Sequence, residues 1–367
     1  MQRQHLVSRR PRDELLGVVG AVGGLQAQMA SGAELAAWAR VEGVRPGDLD
    51  AELWERRTLV KTWAMRGTLH LLPAAEYGLW QAALDTYDHY LKGAWLRGFK
   101  ITAEERDLLL DTVREVLGGE ALTRDELAEA VAEASGSRAL GEKLADSWGA
   151  YLKPASFQGS LCFGPNRGRN VTFVSPAAWI GAQPGPPPEE ALAEVTRRYL
   201  SAYGPATAAE YSRWWGPRRP AQATRSFRAL GEEAVEVDIE GEPHWALAED
   251  VAEMADAAPS GAVRLLPAFD PYVIGSARDV PAILSPEHKA RVHRPQGWIS
   301  PVLLVDGRIE GVWSHERARG QLSLMVEPFG ELASGEREAA GAEAERLAAF
   351  YGDVLAREWG LRGSRHS

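Results

Sequence analysis

The sequence predicts an α+β protein made of three tandem winged-helix modules, a β-rich C-terminal region and one closing helix. Two observations carry this prediction. A set of helical stretches followed by two short β-rich runs around a turn occurs three times. Strand-like runs then dominate until a final helical stretch. The predicted domains are residues 1–119, 120–182, 183–260 and 261–367.

In the first module, the run Leu59–Leu72 is rich in β-branched and aromatic residues on both sides of Arg66-Gly67. This composition is typical of a tight β-hairpin. Helical periodicity and helix-starting residues predict the surrounding helices. These are Asp13–Ala30, Glu34–Val41 and Asp48–Arg57 before the hairpin, then one from Pro73 to about Trp95 and Ala103–Leu117.

The second module begins with a capping box, because Thr123 is followed three residues later by Glu126. Helix Arg124–Ala134 is expected to start there. A further helix is predicted over Glu142–Leu152 and is interrupted by Lys153-Pro154. Two short strands around a Gly-Pro-Asn-Arg-Gly tip are predicted within Leu161–Val174.

The proline-rich run Gln183–Pro188 is typical of a linker and marks a domain boundary. The elements predicted beyond it follow from capping residues, prolines and periodicity. They are helices Glu189–Tyr203, Thr207 to Trp215-Gly216-Pro217 and Pro220–Leu230, an extended pair in Ala234–Leu247, strand-rich runs Arg264–Ile274 and Trp298–Trp313, and an amphipathic helix Gly335–Trp359. Asp306-Gly307 is a hairpin signal within the second strand-rich run.

Composition places the chain among ordinary globular proteins, with 45% apolar and 25% charged residues. The net charge of −10 argues against a uniformly basic nucleic-acid binder, but arginine clusters leave room for a local basic surface. The chain has one cysteine and no uncharged apolar run long enough to span a membrane. We therefore expect a cytoplasmic, monomeric protein that is not embedded in a membrane.

Two stretches resemble a nucleotide-binding or metal-binding motif, but each lacks a residue that the motif requires. Gly136–Lys143 resembles a phosphate loop but has Glu142 where that loop requires a lysine. His315-Glu316 lacks the second histidine of a zinc helix, because Arg319 stands there. We expect neither a metal nor a cofactor.

Gln26 and Gln28 stand one residue apart inside an apolar run, after several glycines. On a helix they would point in different directions, whereas in an extended segment they would share a face. Neutral amides cannot act as a general base, but they can hold a water in line for attack. The alternative is a polar cluster at a helix end that bonds its own backbone, and spacing alone favours that alternative.

Several polar residues on the predicted hairpins and helix ends are candidates for phosphate contact. They are Arg66, His70, Lys153, Gln158, Arg167 and Arg169. Asp270 and Tyr272 are candidates for supporting a site, although a carboxylate before Pro271 is more often a turn cap.

Five motifs in order resemble the AlkZ-type winged-helix DNA glycosylases, and the resemblance spans nearly the whole chain. The motifs are GLQAQ at Gly24–Gln28, RGTLHLLP at Arg66–Pro73, LCFGPNRGR at Leu161–Arg169, LLPAFDPYV at Leu265–Val273, and WISPVLLVDGRIEGVW at Trp298–Trp313. The resemblance implies a C-shaped body around a DNA channel and a Gln-x-Gln motif that positions the hydrolytic water. Gln26 and Gln28 match that motif, whereas a sister branch that includes YcaQ has Gln-x-Asp.

The family resemblance thus reverses the preference for a structural role of the two glutamines. It implies a monofunctional glycosylase acting on double-stranded DNA with N7-alkylated purines, including bulky natural-product adducts or crosslinks, in repair or self-resistance. The alternative from a different functional class is a winged-helix transcriptional regulator without catalysis. Excision of an alkylated base separates the two.

Overall fold

In the described part of the chain, groups of helices are followed by short strands, most of them antiparallel, as predicted for an α+β protein. The computed structural model describes residues 1–146, 149–216, 219–276, 278–356 and 360–361. The α-helices are α1 (Leu15–Ala21), α2 (Ala30–Arg40), α3 (Asp48–Asp50), α4 (Tyr77–Leu84), α5 (Gly93–Phe99), α6 (Ala103–Val116), α7 (Arg124–Ser135), α8 (Arg138–Asp146), α9 (Lys153–Phe157), α10 (Pro176–Ile180), α11 (Pro188–Tyr203), α12 (Ala208–Trp215), α13 (Pro220–Arg228), α14 (Val251–Ala255), α15 (Pro271–Ser276), α16 (Lys289–Val292) and α17 (Ser334–Tyr351). The β-strands are β1 (Leu25–Gln26), β2 (Leu59–Trp63), β3 (Leu69–Pro73), β4 (Leu122–Thr123), β5 (Cys162–Arg167), β6 (Asn170–Val174), β7 (Ala234–Ile239), β8 (Glu242–Leu247), β9 (Val263–Leu266), β10 (Val302–Val305), β11 (Arg308–Ala318), β12 (Gln321–Pro328), β13 (Val354–Leu355) and β14 (Gly360–Leu361).

These elements form two compact units, each assembled from segments that are distant in sequence. Unit 1 consists of Met1–Leu49, Arg198–Tyr211 and Gly231–Ser367. Unit 2 consists of Asp50–Arg197 and Ser212–Leu230. The four-domain division predicted from the sequence stays a prediction.

The predicted hairpin of the first module is confirmed, with β2 and β3 antiparallel on either side of Arg66-Gly67. The helix predicted over Asp13–Ala30 is wrong in its length, because α1 ends at Ala21. The helix predicted from Pro73 to about Trp95 is also wrong, since α4 ends at Leu84 and α5 begins only at Gly93. The Thr86 hydroxyl donates to the Ala83 carbonyl at 2.7 Å, a local bond that competes with continuation of the helix.

The second module lies within unit 2 and has helices α7 and α8 and a three-stranded antiparallel sheet in the order β4-β6-β5, of which β4 precedes α7 in the chain. The predicted capping box is confirmed, because Thr123 and Glu126 bond each other's backbone amides. Helices α7 and α8 cross closely at Gly141, where a Cβ would come within 2.7 Å of the Ala128 carbonyl oxygen. We interpret this arrangement as a winged helix.

The predicted interruption at Lys153-Pro154 is wrong, because α9 begins there with proline in its first turn. Proline at this position loses no helical hydrogen bond, so it can start a helix as readily as it ends one. The helix predicted over Glu142–Leu152 matches only the end of α8; its residues 147–148 lie outside the described part of the chain, and it is wrong over residues 149–152, which form turns.

The linker prediction agrees with residues 181–187, which have no regular secondary structure. Beyond it, α11, α12 and α13 are followed by the β7–β8 hairpin, the order predicted for the third module. The Thr207 hydroxyl accepts from the Glu210 amide at 3.2 Å and so caps α12. Pro217, predicted to follow this helix, lies outside the described residues.

The C-terminal region of unit 1 is a sheet in the order β13-β12-β11-β10-β9, with β14 paired to β12. The hairpin predicted at Asp306-Gly307 is confirmed between β10 and β11. The strand-rich prediction for Arg264–Ile274 is wrong after Leu266, because Pro271 opens helix α15. The closing helix α17 ends at Tyr351, earlier than predicted, with Gly352 at φ 69° as its cap. Trp359, its predicted end, lies outside the described residues.

Each unit has its own aromatic core. In unit 1, Trp38, Tyr199 and Tyr211 are buried, and in unit 2 Trp80 and Phe173 are. Burial of such rings removes large apolar areas from water and dominates the stability of a core. No helix in the described part of the chain is long and apolar enough to cross a membrane.

Candidate active site and DNA-contacting residues

The two glutamines lie in unit 1, in the segment that joins α1 to α2. After α1 ends, Gly23 and Gly24 adopt φ values of 72° and 90°. Most residues avoid this left-handed region, and two glycines turn the chain out of the helix without strain. Gln26 then falls in strand β1, and Gln28 lies just before α2 begins at Ala30.

The burial of the two side chains differs. Gln26 is only 8% exposed, whereas Gln28 is exposed. Both residues lie outside any helix, so the extended geometry that the glycines left open is the one adopted around Gln26. A buried amide is held in place by its surroundings, and an exposed amide can meet a ligand.

Asp270 lies in the core of unit 1, where Arg40 neutralises it. The guanidinium donates to both carboxylate oxygens, at 2.7 and 2.8 Å, and both side chains are 0% exposed. The Tyr272 amide also donates to Asp270 Oδ1 at 2.8 Å, which caps α15. The geometry thus favours the turn-cap alternative over contact with a substrate.

Tyr272 is likewise held in the core. Its hydroxyl donates to the Gly307 carbonyl at 2.7 Å, and the ring is 6% exposed. Burial, followed by the charges of Asp270 and Asp306, raises the pKa of the phenol above its ordinary value. Tyr272 therefore stays protonated at neutral pH and joins α15 to the β10–β11 turn.

Arg66 lies at the tip of the β2–β3 hairpin in unit 2, with φ at 61°. Its Nη1 donates to the Trp214 carbonyl, and its Nη2 is 3.2 Å from His70 Nε2. A guanidinium with fixed partners loses little further conformational entropy when it binds an anion. Arg66 is thus a preorganised cation.

The prediction that His70 contacts DNA is corrected, because its side chain is only 2% exposed. Its Nδ1 lies 3.0 Å from the Thr68 carbonyl, which can only accept, so Nδ1 carries the proton and Nε2 accepts from Arg66. Burial, and then the charge of Arg66, lowers the pKa of His70 to about 3. His70 is a neutral positioning residue for Arg66.

Lys153 and Gln158 flank α9 in the same unit. A side chain added at Gly67 would lie 3.6 Å from Lys153 Nζ, so the ammonium lies against the residue that follows Arg66. Gln158 donates to the Tyr90 hydroxyl and accepts from Arg114, both at 3.3 Å. The structure therefore brings Arg66 and Lys153 together and ties Gln158 to α6.

The wing residues differ from one another. Arg167 on β5 donates to both Glu126 oxygens and, at 2.8 Å, to the Ala121 carbonyl. Arg169 is exposed and makes no ion pair within the described residues. Arg169 is consequently the freer of the two to meet a phosphate.

The sequence prediction does not include the aromatic residues that surround Lys153. It gives residues 73–95 as one helix and assigns them no functional role. His89, Trp95 and Phe157 line a cavity together with Arg66 and Lys153. The signal was present as four aromatic residues and one histidine between Tyr87 and Phe99. No group of three or more potential metal ligands occurs among the described residues.

Known proteins were compared with this chain by sequence and by structure. A sequence profile of the family described as "DNA glycosylase AlkZ-like" matches residues 19–350. The chain belongs to the AlkZ-like DNA glycosylase family. A relative from Streptomyces sahachiroi, described as an interstrand DNA cross-link repair glycosylase, is 39% identical over 333 residues, which cover 90% of this chain and 88% of the relative.

The solved structure of the Streptomyces sahachiroi DNA glycosylase AlkZ matches this AlkZ-like chain with a TM-score of 0.88 and 37% identity. The match covers 97% of this chain and 96% of the other. This AlkZ-like protein is therefore an enzyme that hydrolyses N-glycosyl bonds in DNA. The alternative of a winged-helix regulator without catalysis is wrong.

Proposed function

We propose that this glycosylase hydrolyses the N-glycosidic bond of N7-alkylated purines in double-stranded DNA, with Gln26 and Gln28 as its catalytic residues. The observation that carries the proposal is the position of the two glutamines. The adjacent Gly23 and Gly24, both with positive φ, turn the chain so that the glutamines lie outside any helix, with Gln26 buried and Gln28 exposed. Apolar packing alone gives no reason for an exposed amide next to a buried one in this segment.

The chemistry suits amides. Alkylation at N7 places a positive charge on guanine, which makes the base a good leaving group as its bond to the sugar breaks. The sugar then resembles an oxocarbenium ion that a water can attack without a strong base. An amide offers one acceptor and two donors, so it can hold that water in line with C1′.

The DNA contacts that we propose lie on unit 2. Arg66 and Lys153 form one cationic site at the hairpin tip, and Arg167 and Arg169 form another on the wing. Gln158 is proposed as a neutral contact beside them. Phosphate contacts of this kind fix the position of an enzyme on DNA without reading its sequence.

Bulky adducts and interstrand crosslinks are the substrates that we favour. The relative from Streptomyces sahachiroi is described as an interstrand DNA cross-link repair glycosylase. Removal of such adducts would serve repair, or self-resistance in a producer of an alkylating agent. We also propose that the enzyme acts as a monomer in the cytoplasm.

One assay tests the proposal. Duplexes with N7-methylguanine, a bulky N7 adduct or an N7 crosslink are incubated with the protein and then heated in alkali, which breaks the strand at an abasic site. We expect a break at the adducted position with wild-type protein. Absence of cleavage across this panel, in a protein that binds the same duplexes, would overturn N7-alkylpurine specificity.

A further inference from the structure

A cavity of about 430 Å³ lies within unit 2, bounded by the hairpin tip, α5 and α9. Its volume falls within the range of about 300–1,000 Å³ that is typical of small-ligand pockets. Contacts to the phosphates of a duplex can be made from an open cationic surface without aromatic side chains. A cavity lined by aromatic rings beside the predicted phosphate contacts therefore needs a separate explanation.

One side of the cavity is aromatic. Trp95 and Phe99 are in contact, with their ring centroids 4.7 Å apart, and Phe99 is 38% exposed. The partly exposed His89 ring contacts Phe157 edge-on, with centroids 5.8 Å apart, and Phe157 itself is only 1% exposed. Exposed ring faces in a cavity are a stacking surface for a planar aromatic group.

The cavity is also positively charged. Arg66 and Lys153 both line it, and none of its lining residues in the described part of the chain is acidic. The Lys153 ammonium makes no hydrogen bond or ion pair within the described residues, and burial lowers its pKa. A half-buried cation without a partner is unfavourable, and an anion placed in the cavity would stabilise it.

His89 adds a neutral polar group. Its Nδ1 is buried and has no hydrogen-bond partner among the described residues. Burial is the main cause that lowers the pKa of His89, so the imidazole is uncharged at neutral pH. An uncharged ring can donate one hydrogen bond and accept one, as the edge of a nucleobase also can.

We propose that this cavity binds one nucleotide displaced from the duplex, with its base against Trp95, Phe99 and His89 and its phosphate at Lys153 and Arg66. A free phosphate would make no use of the aromatic rings, and an apolar peptide would leave the Lys153 ammonium unpaired. A nucleotide has a base that can stack on the aromatic rings and a phosphate that can pair with the Lys153 ammonium. The inference relies on the proposed function only in taking the DNA contacts to lie on unit 2.

The test uses undamaged DNA, so its outcome is independent of the adduct that the enzyme excises. Affinities are measured by fluorescence anisotropy for the full-length protein with a fully paired duplex and with the same duplex carrying one unpaired 2-aminopurine. We expect the wild-type protein to bind the bulged duplex about fivefold or more tightly, as stacking of one base on aromatic side chains implies. The 2-aminopurine fluorescence should be quenched on binding.

Phe99→Ala is the decisive variant, because its exposed ring can be removed with little effect on the core. It should lose most of the preference for the bulged duplex. Lys153→Met keeps the aliphatic stem and should weaken binding of the bulged duplex more than that of the paired duplex. Leu108→Ala is the matched control, since Leu108 is 44% exposed in the same unit and does not line the cavity.

Two results would overturn the proposal. One is a wild-type protein with equal affinity for the two duplexes. The other is a Phe99→Ala variant, folded by its melting temperature, that keeps the full preference and the full quenching. Failure of the excision assay together with a Phe99-dependent preference would remove the proposed substrate and leave the nucleotide pocket in place.

Discussion

Replacement of Asp270 with asparagine tests whether this carboxylate is structural or takes part in the reaction. Asp270 and Arg40 are both 0% exposed, and two hydrogen bonds join them. Asparagine has nearly the same shape and keeps an acceptor for the Tyr272 amide. The substitution therefore removes the negative charge and leaves the helix cap.

The expected effect is large because the guanidinium stays buried. Removal of one partner of a buried ion pair destabilises a protein by about 3–5 kcal/mol. The Arg40 Nη1 contact with the Ala36 carbonyl, 3.0 Å long, remains but carries no charge to offset the cation. At about 2–4 °C per kcal/mol, the value for a domain of about 150–250 residues, the melting temperature should fall by roughly 6–20 °C.

A double-mutant cycle isolates the pair. Arg40→Met combined with Asp270→Asn removes both charges, so it should be less destabilised than Asp270→Asn alone. Unfolding is followed by circular dichroism, and excision is measured on the same preparations well below the melting temperature. The reasoning is refuted if Asp270→Asn melts as the wild type does while its excision rate falls more than about tenfold, a size typical of lost transition-state contacts.

Three further predictions concern the glutamines, the wing and His70. Gln28→Ala should slow single-turnover excision by a factor of roughly ten to a thousand while DNA affinity stays nearly unchanged, and Gln28→Asp should retain activity. If Gln26→Ala and Gln28→Ala both excise at the wild-type rate, the motif is structural and not catalytic. Arg167→Ala with Arg169→Ala should reduce the slope of log affinity against log salt by about one to two, with the larger share from Arg169 because Glu126 already pairs Arg167. An unchanged slope would show that neither arginine contacts a DNA phosphate. His70 has a folded-state pKa of about 3, below its unfolded value, so its neutral form is favoured in the fold and stability is lost as pH falls below about 6.5. The loss in free energy of unfolding should reach about 2 kcal/mol at pH 5. Urea titrations at pH 7 and pH 5 should show a smaller loss in His70→Asn than in the wild type. Equal losses in the two proteins would contradict a buried neutral His70.

Local signals in the sequence predicted much of the fold correctly. The Thr123–Glu126 capping box and the turns at Arg66-Gly67 and Asp306-Gly307 each depend on interactions between near neighbours in the chain. Such elements depend little on the rest of the fold, so residue type and spacing are enough to locate them. The resemblance to AlkZ-type glycosylases likewise depends only on the five motifs and their order in the chain.

Errors occurred where one residue type serves two purposes. Proline at position 154 and at position 271 starts a helix in each case, although proline also ends helices and disrupts strands. The glycines before Gln26 were recognised as helix-weakening, but the end of α1 at Ala21 depends on how the next residues are buried. Sequence pattern cannot choose between these outcomes without the packing.

The sequence by itself determined the α+β class, the family resemblance and the identity of Gln26 and Gln28 as the candidate pair. Only the tertiary structure decided which polar residues can reach a ligand. His70 is buried behind Arg66, and Asp270 is neutralised by Arg40, a residue 230 positions away in the chain. Burial and pairing between distant residues arise from the packing of the whole unit, so no local pattern in the sequence records them.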